Sequence, residues 1–209
     1  YITRKIKQMK VQQLDEQIIK EIGHAFGYYD YGDETGLVSA YRSKEAAAVY
    51  IEGYVRMALK GGFLYTTGEK KEGFIAYKLP QDKLGFGAAM QLVKGFFQSM
   101  NLKELIRLLN GMSKGGPSLR DRMDKEKRPC IFVGLVCVRE EYQGQGNMRK
   151  LMNLAFEEGN KYNLPVVLDT DAKSKCDKYM HLGMELAGIR DLGEYGIIYD
   201  LIKYPDRKK

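Results

Sequence analysis

Apolar positions change their period several times along the chain, and each change predicts an element. Leu14, Ile18, Ile19, Ile22 and Phe26 recur at the spacing of one helix face within residues 11–26, with Gly27 at the expected end. Ser43 stands where an N-cap belongs, ahead of a second helical stretch carrying Ala46, Ala47, Val49, Tyr50, Val55, Met57 and Leu59. Gly61-Gly62 stops it, and residues 63–67 and 73–79 read as a hairpin. Weak alternation from Ile2 to Met9 predicts a first strand.

Residues 84–127 break the alternation of strands and helices. Met90, Leu92, Val93, Phe96 and Phe97 predict one helix, Leu102 to Leu109 another, and Gly115-Gly116-Pro117 ends the pattern. Three readings of this helical insertion stand: plain packing, a wall or lid over a pocket, or homodimer contact through Phe96, Phe97 and Met100. Beyond it, the apolar run Ile131–Val138 predicts a strand, followed by a glycine-rich turn and a helix to about Gly159. A strand over 165–171, a short helix over 175–181 and a hairpin of 185–189 with 195–202 complete the chain. The order implies an α/β fold, a mixed sheet covered by helices.

Composition narrows the class. At 209 residues one domain is the default, and 44% hydrophobic and 29% charged residues are ordinary for a globular protein. No apolar run approaches the roughly 20 residues of a membrane span, so no membrane partner is expected. Three cysteines, Cys130, Cys137 and Cys176, show no metal or redox spacing and suit a reducing, cytoplasmic setting. Two histidines, His24 and His181, leave little for a zinc site or a Ser-His-Asp triad. The net charge of +7 fits an anionic ligand. The basic residues are dispersed among acidic ones without a nucleic-acid signature, so no nucleic-acid partner is expected.

The candidate chemistry lies at Tyr142-Gln143-Gly144-Gln145-Gly146-Asn147-Met148-Arg149. A strand that ends in a glycine turn and feeds a helix presents free N–H groups to an anion. No Gly-Lys-Ser/Thr follows, and Arg149 stands where a dinucleotide fingerprint needs its third glycine. The remaining pattern, Gln143-x-x-Gly146-x-Met148, resembles the coenzyme A pyrophosphate loop of the GNAT N-acetyltransferase superfamily. Val136-Cys137-Val138 before the loop, Leu168-Asp169-Thr170 after it, and Tyr179 ahead of Leu182-Gly183-Met184 extend the resemblance from about 132 to 184. The strand end Leu168-Asp169-Thr170 is similar to that of the branch resembling puromycin N-acetyltransferase. Met148 and Lys175 depart from the glycine or alanine and the asparagine usual at their places.

The resemblance implies a mixed, mostly antiparallel central sheet flanked by helices; a compact core of that kind joins its third and fourth strands more directly, so residues 84–127 stand out as an insertion ahead of the cofactor-binding strand. It implies acetyl-CoA as cosubstrate and transfer of acetyl to an amine, most simply a small-molecule acceptor. The implied cofactor contacts are the backbone of Val136, Cys137 and Val138, the loop Gln143, Gly144, Gln145, Gly146, Asn147, Met148 and Arg149, and Lys175. Tyr179 takes the place of the general acid. Glu140, Glu141 and Asp169 stand as alternatives for the base, and the Tyr28–Tyr31 loop as an acceptor contact. Acetylation of protein amines and a non-catalytic acyl-CoA sensor remain as alternatives.

Overall fold

The computed structural model describes residues 9–206. Strands β1 (Met9–Lys10), β2 (Leu64–Thr66), β3 (Gly73–Lys78), β4 (Ile131–Val138), β5 (Val166–Thr170), β6 (Glu185–Asp191) and β7 (Ile197–Lys203) form one sheet. Their order is β1-β2-β3-β4-β5-β7-β6. Every neighbouring pair is antiparallel except β4 with β5. The expected strand from Ile2 lies outside the described residues apart from its last position, Met9.

Helices cover both faces. One face carries α1 (Glu16–Gly27) and α2 (Lys44–Gly61); the other carries α6 (Asn147–Tyr162) and α7 (Lys173–His181). Ser43 caps α2 through the Ala46 N–H, and Gly62 ends it at φ 73°. Both roles follow from residue type: a short side-chain oxygen reaches back to an orphan N–H, and glycine takes a left-handed turn without a Cβ penalty.

One extra residue in β4 decides which side chains meet which layer. Ala76 opposes Leu135, but Tyr77 opposes Val133, so Gly134 is bulged out of the ladder. Since alternate residues face opposite sides, a one-residue slip exchanges the faces. Ile131 and Val133 accordingly pack with Leu151 and Leu154 of α6, whereas Leu135 and Cys137 pack with Ile22 of α1 and Val55 of α2. Glycine is required at the bulge because a Cβ there would lie 1.8 Å from the Tyr54 hydroxyl oxygen.

The insertion between β3 and β4 holds three helices, α3 (Phe86–Ser99), α4 (Leu102–Lys114) and α5 (Leu119–Lys125). The first two are those the apolar spacing predicts. The third was not predicted; its signal is Ser118-x-x-Asp121, which forms a complete capping box. α3 lies on α2 at closest approach through two glycines, where a Cβ on Gly53 would sit 2.8 Å from the Gly95 Cα. Of the three residues offered for dimer contact, only Phe97 faces outward, at 75% exposure. Phe96 packs 4.7 Å from the Tyr50 ring, and Met100 is buried.

Among the described residues, no helix is long and apolar enough to cross a membrane. Gly134→Ala is expected to destabilise the chain by about 1–3 kcal/mol, because the rigid Tyr54 ring must shift. Urea denaturation checks it, and Tyr54→Phe in the same chain should recover part of the loss.

Candidate active site

The site begins where the sheet comes apart. β4 and β5 pair only at Ile131 with Val166 and Phe132 with Val167. β5 continues along β7 as far as Thr170, while β4 continues along β3 to Val138. From Val133 onward the edge of β4 facing β5 therefore has no strand partner. A cavity of about 1110 Å³ opens in this gap.

The glycine loop closes one end. Gly144 and Gly146 have φ of 72° and 74°, and neither Cβ would touch anything, so backbone conformation alone selects glycine. Gly146 is the N-cap of α6 and supplies no side-chain acceptor to the first turn. The Asn147 side chain turns back to the Tyr142 carbonyl at 3.0 Å instead of capping the helix. The opening N–H groups of a 16-residue helix are thus left uncapped beside the cavity. Gln143, Gly144, Gly146, Asn147, Met148 and Arg149 all line it. Gln145 does not; its amide donates to the Glu141 carbonyl at 3.1 Å.

Val136, Cys137 and Val138 form the β4 wall, and Tyr179 the α7 wall. Burial pushes the Tyr179 phenol up, and Asp171 and Cys137 act in the same direction. The group therefore stays protonated at neutral pH, and its hydroxyl has no hydrogen-bond partner among the described residues. Burial also pushes the Cys137 thiol up, to about 12, so it is a packing residue and not a nucleophile.

Lys175, expected as a cofactor contact, lines the same cavity, with its ammonium engaged by the protein itself. It donates to Asp171 Oδ1 at 2.9 Å and lies 4.0 Å and 4.7 Å from the Tyr29 and Tyr31 ring centres. Tyr31 donates its hydroxyl to the other Asp171 oxygen at 2.6 Å, and Tyr29 shares a hydrogen bond with Ser174 at 2.9 Å. Half of the expected aromatic loop thus faces the cavity. Tyr28 turns away, pairing with Glu45 and stacking on His24.

The opposite end carries a buried charge cluster. Asp169 and Asp200 are directly opposed on β5 and β7, which alone would be repulsive. Arg190 of β6 lies between them, donating at 2.8 Å to Asp169 Oδ2 and at 3.1 Å to Asp200 Oδ1. Asp200 also accepts the Leu119 N–H at 3.1 Å, and Arg122 reaches it from the surface at 3.5 Å. Asp169 Oδ1 has no partner among the described residues, and its side chain remains 40% exposed through the cavity. Protein packed around it raises its pKa by desolvation, Arg190 opposes that rise, and Asp200 adds to it. Of the three base candidates only Asp169 lines the cavity; Glu141 pairs outside with Arg139 at 3.0 Å, and Glu140 is exposed.

Sequence reading missed Tyr41, Tyr50, Tyr54, Arg190 and Asp200. Tyr50 and Tyr54 stand four apart on α2 and present one face to the cavity. Asp200 had a signal too: a lone carboxylate inside the apolar strand Ile197–Lys203.

No protein-family model and no curated protein matches the chain. Solved structures do. "Histone acetyltransferase HPA2 and related acetyltransferase" from Corynebacterium glutamicum superposes with TM-score 0.57 at 11% identity, covering 97% of both chains. Arylalkylamine N-acetyltransferase 2 of Aedes aegypti gives 0.55 at 11%, covering 96% of this chain and 99% of that one. A polyamine N-acetyltransferase of Drosophila melanogaster gives 0.52 at 13%, with 95% and 100% covered. The chain has the fold of these acetyltransferases. The mixed, mostly antiparallel sheet and the flanking helices expected from the sequence are present, and the parting of β4 and β5 is a finding of the structure.

Arg190→Gln should cost about 3–5 kcal/mol, since it leaves two carboxylates facing each other without their cation. The pH dependence has a definite sign. Removing the cation raises the folded-state pKa of Asp169 further, so the folded variant holds a proton that the unfolded chain releases above about pH 4. Stability then falls as pH rises through that window. Urea denaturation should show a larger deficit against the unsubstituted chain at pH 8 than at pH 5.

Proposed function

We propose that the chain is an acetyl-CoA-dependent N-acetyltransferase that passes acetyl to the amine of a small molecule. One observation carries the reading: the unpaired β4 edge and the uncapped α6 N-terminus border the same cavity. A strand edge accepts an extended amide-bearing chain, and an uncapped helix start accepts a phosphate. Pantetheine and pyrophosphate have those two chemistries in that order. The likeness to structures named for arylalkylamine and polyamine acetylation supports an amine acceptor. Leu168-Asp169-Thr170 favours the puromycin N-acetyltransferase-like branch within that reading.

Acetyl-CoA supplies the acetyl group as a thioester. The backbone of Val136 to Val138 holds the pantetheine and orients N–H groups toward the thioester oxygen, where negative charge develops. The amides of Gly144 to Arg149 hold the pyrophosphate, with the Arg149 guanidinium beside them. Asp169 takes the proton from the acceptor ammonium, freeing the nitrogen lone pair for attack on the carbonyl carbon. As the carbon–sulfur bond breaks, the Tyr179 hydroxyl gives its proton to the departing thiolate, and the second proton of the attacking nitrogen, acidic once the new carbon–nitrogen bond has formed, returns to the phenolate to leave the neutral amide. Residues 84–127 act as a fixed wall of the acceptor end, with Met112 of α4 lining the cavity.

Titration calorimetry with acetyl-CoA should show one site per chain, abolished by Gly146→Glu, which sets a carboxylate at the phosphate position. No heat with the unsubstituted chain would sink the reading. Tyr179→Phe should lower kcat by about 10²–10⁴-fold while leaving acetyl-CoA affinity within threefold; unchanged kcat with acetyl transfer rate-limiting would remove Tyr179 as the acid.

A further inference from the structure

The cavity contains two carboxylates two residues apart, and they are in opposite electrostatic states. Asp171 is fully engaged: Lys175 and Tyr31 each take one of its oxygens, at 2.9 Å and 2.6 Å. The ammonium that neutralises it is further enclosed by the faces of Tyr29 and Tyr31, with Phe26 at 5.9 Å. Aromatic faces around a carboxylate-bound ammonium are what an amine ligand needs for recognition, and here the protein's own side chain fills that place.

Asp169 is in the other state. A single buried arginine is shared between it and Asp200, so the cluster keeps excess negative charge on the cavity side. Arg122 partly offsets Asp200, but from the solvent side, with its own side chain 44% exposed. One carboxylate oxygen is left open to the cavity. The cavity walls beyond it are apolar or aromatic, with Tyr41, Tyr50, Tyr54, Met112, Leu192 and Ile198 among the lining residues. An ammonium entering here finds one counter-charge. A second ammonium on the same ligand would meet only carboxylates that are already engaged, Asp171 by Lys175 and Tyr31 and Asp177 by Lys173, so its lost hydration goes uncompensated.

We infer that the acceptor is a lipophilic monoamine, one ammonium on an aromatic or aliphatic body, and that Lys175 excludes diamines by occupying the second ammonium position itself. Asp169 holds the reacting amine, the tyrosines of α2 take its apolar body, and Lys175 sets selectivity without touching the reacting atoms. The inference rests on the acetyltransferase reading above, and narrows it.

The test compares 2-phenylethylamine with 1,4-diaminobutane as acceptors, following acetyl-CoA-dependent thiol release by the full chain. Three proteins are compared: the unsubstituted chain, Lys175→Met and Lys175→Arg. The unsubstituted chain should favour the monoamine by at least tenfold in kcat/KM. Lys175→Met, which vacates the cage and takes the lysine ammonium away from Asp171, should reduce that ratio at least tenfold. Lys175→Arg, which keeps a cation there, should hold it within threefold. A diamine used as well as the monoamine by the unsubstituted chain, or a ratio unmoved by Lys175→Met, overturns the inference and leaves the acetyltransferase reading standing. If Lys175→Met fails to fold, the ratio for the unsubstituted chain decides. Acetyl-CoA that does not bind, or thiol release with neither amine, overturns that reading and this inference together.

Discussion

Everything at the site depends on β4 and β5 remaining together for two residue pairs and then separating. A sheet interior normally leaves no backbone group without a partner, and a buried N–H or C=O left alone costs as much as a lost hydrogen bond. This chain tolerates the opening because each strand keeps its other neighbour throughout, β4 on β3 and β5 on β7. The bulge at Gly134 falls just past the last shared pair, where the extra residue turns β4 aside. Chain order reinforces the gap: β7 is last in sequence but returns to lie against β5, so β5 is held from the side away from the cavity.

The charges follow the same logic of using one element to hold another. Asp200 is the fixed end of its cluster, anchored by the start of α5 and by Arg190. Arg190 in turn holds Asp169 at the cavity wall. The insertion thus contributes to the site twice, through the α5 N-terminus behind Asp200 and through Met112 at the cavity. A parallel arrangement ties the loop after α1 to α7: Tyr31 to Asp171, Tyr29 to Ser174, and Glu34 to the Lys173 N–H at 2.7 Å. These tethers join the two halves of the sheet across the mouth of the gap.

The sequence was most legible where local chemistry decides structure. Ser43 and Gly62 bound α2, the apolar run Ile131–Val138 is β4 to the residue, and the glycine loop sits at the start of α6 as expected. It was least legible where structure depends on pairing between distant segments. The lone glycine in 131–138 is the only local hint of a bulge, and what demands glycine there, the Tyr54 hydroxyl, lies eighty residues earlier. The place of Lys175 in the motif suggested a cofactor contact; its pairing with Asp171, one helical turn away, was not legible because the three aromatic rings around the ammonium come from another part of the chain. Arg190 was invisible for the same reason, since its partners lie on two other strands.

The glycine contact between α2 and α3 has a mechanical consequence. With Gly53 and Gly95 backbone to backbone, the two helices have no compressible side-chain layer between them. Tyr50 and Tyr54, which line the cavity, lie three residues before and one after Gly53 on α2, so the seating of α3 bears on the helix that carries them. Any side chain larger than hydrogen at either glycine works as a wedge, tilting both tyrosines without touching the cavity.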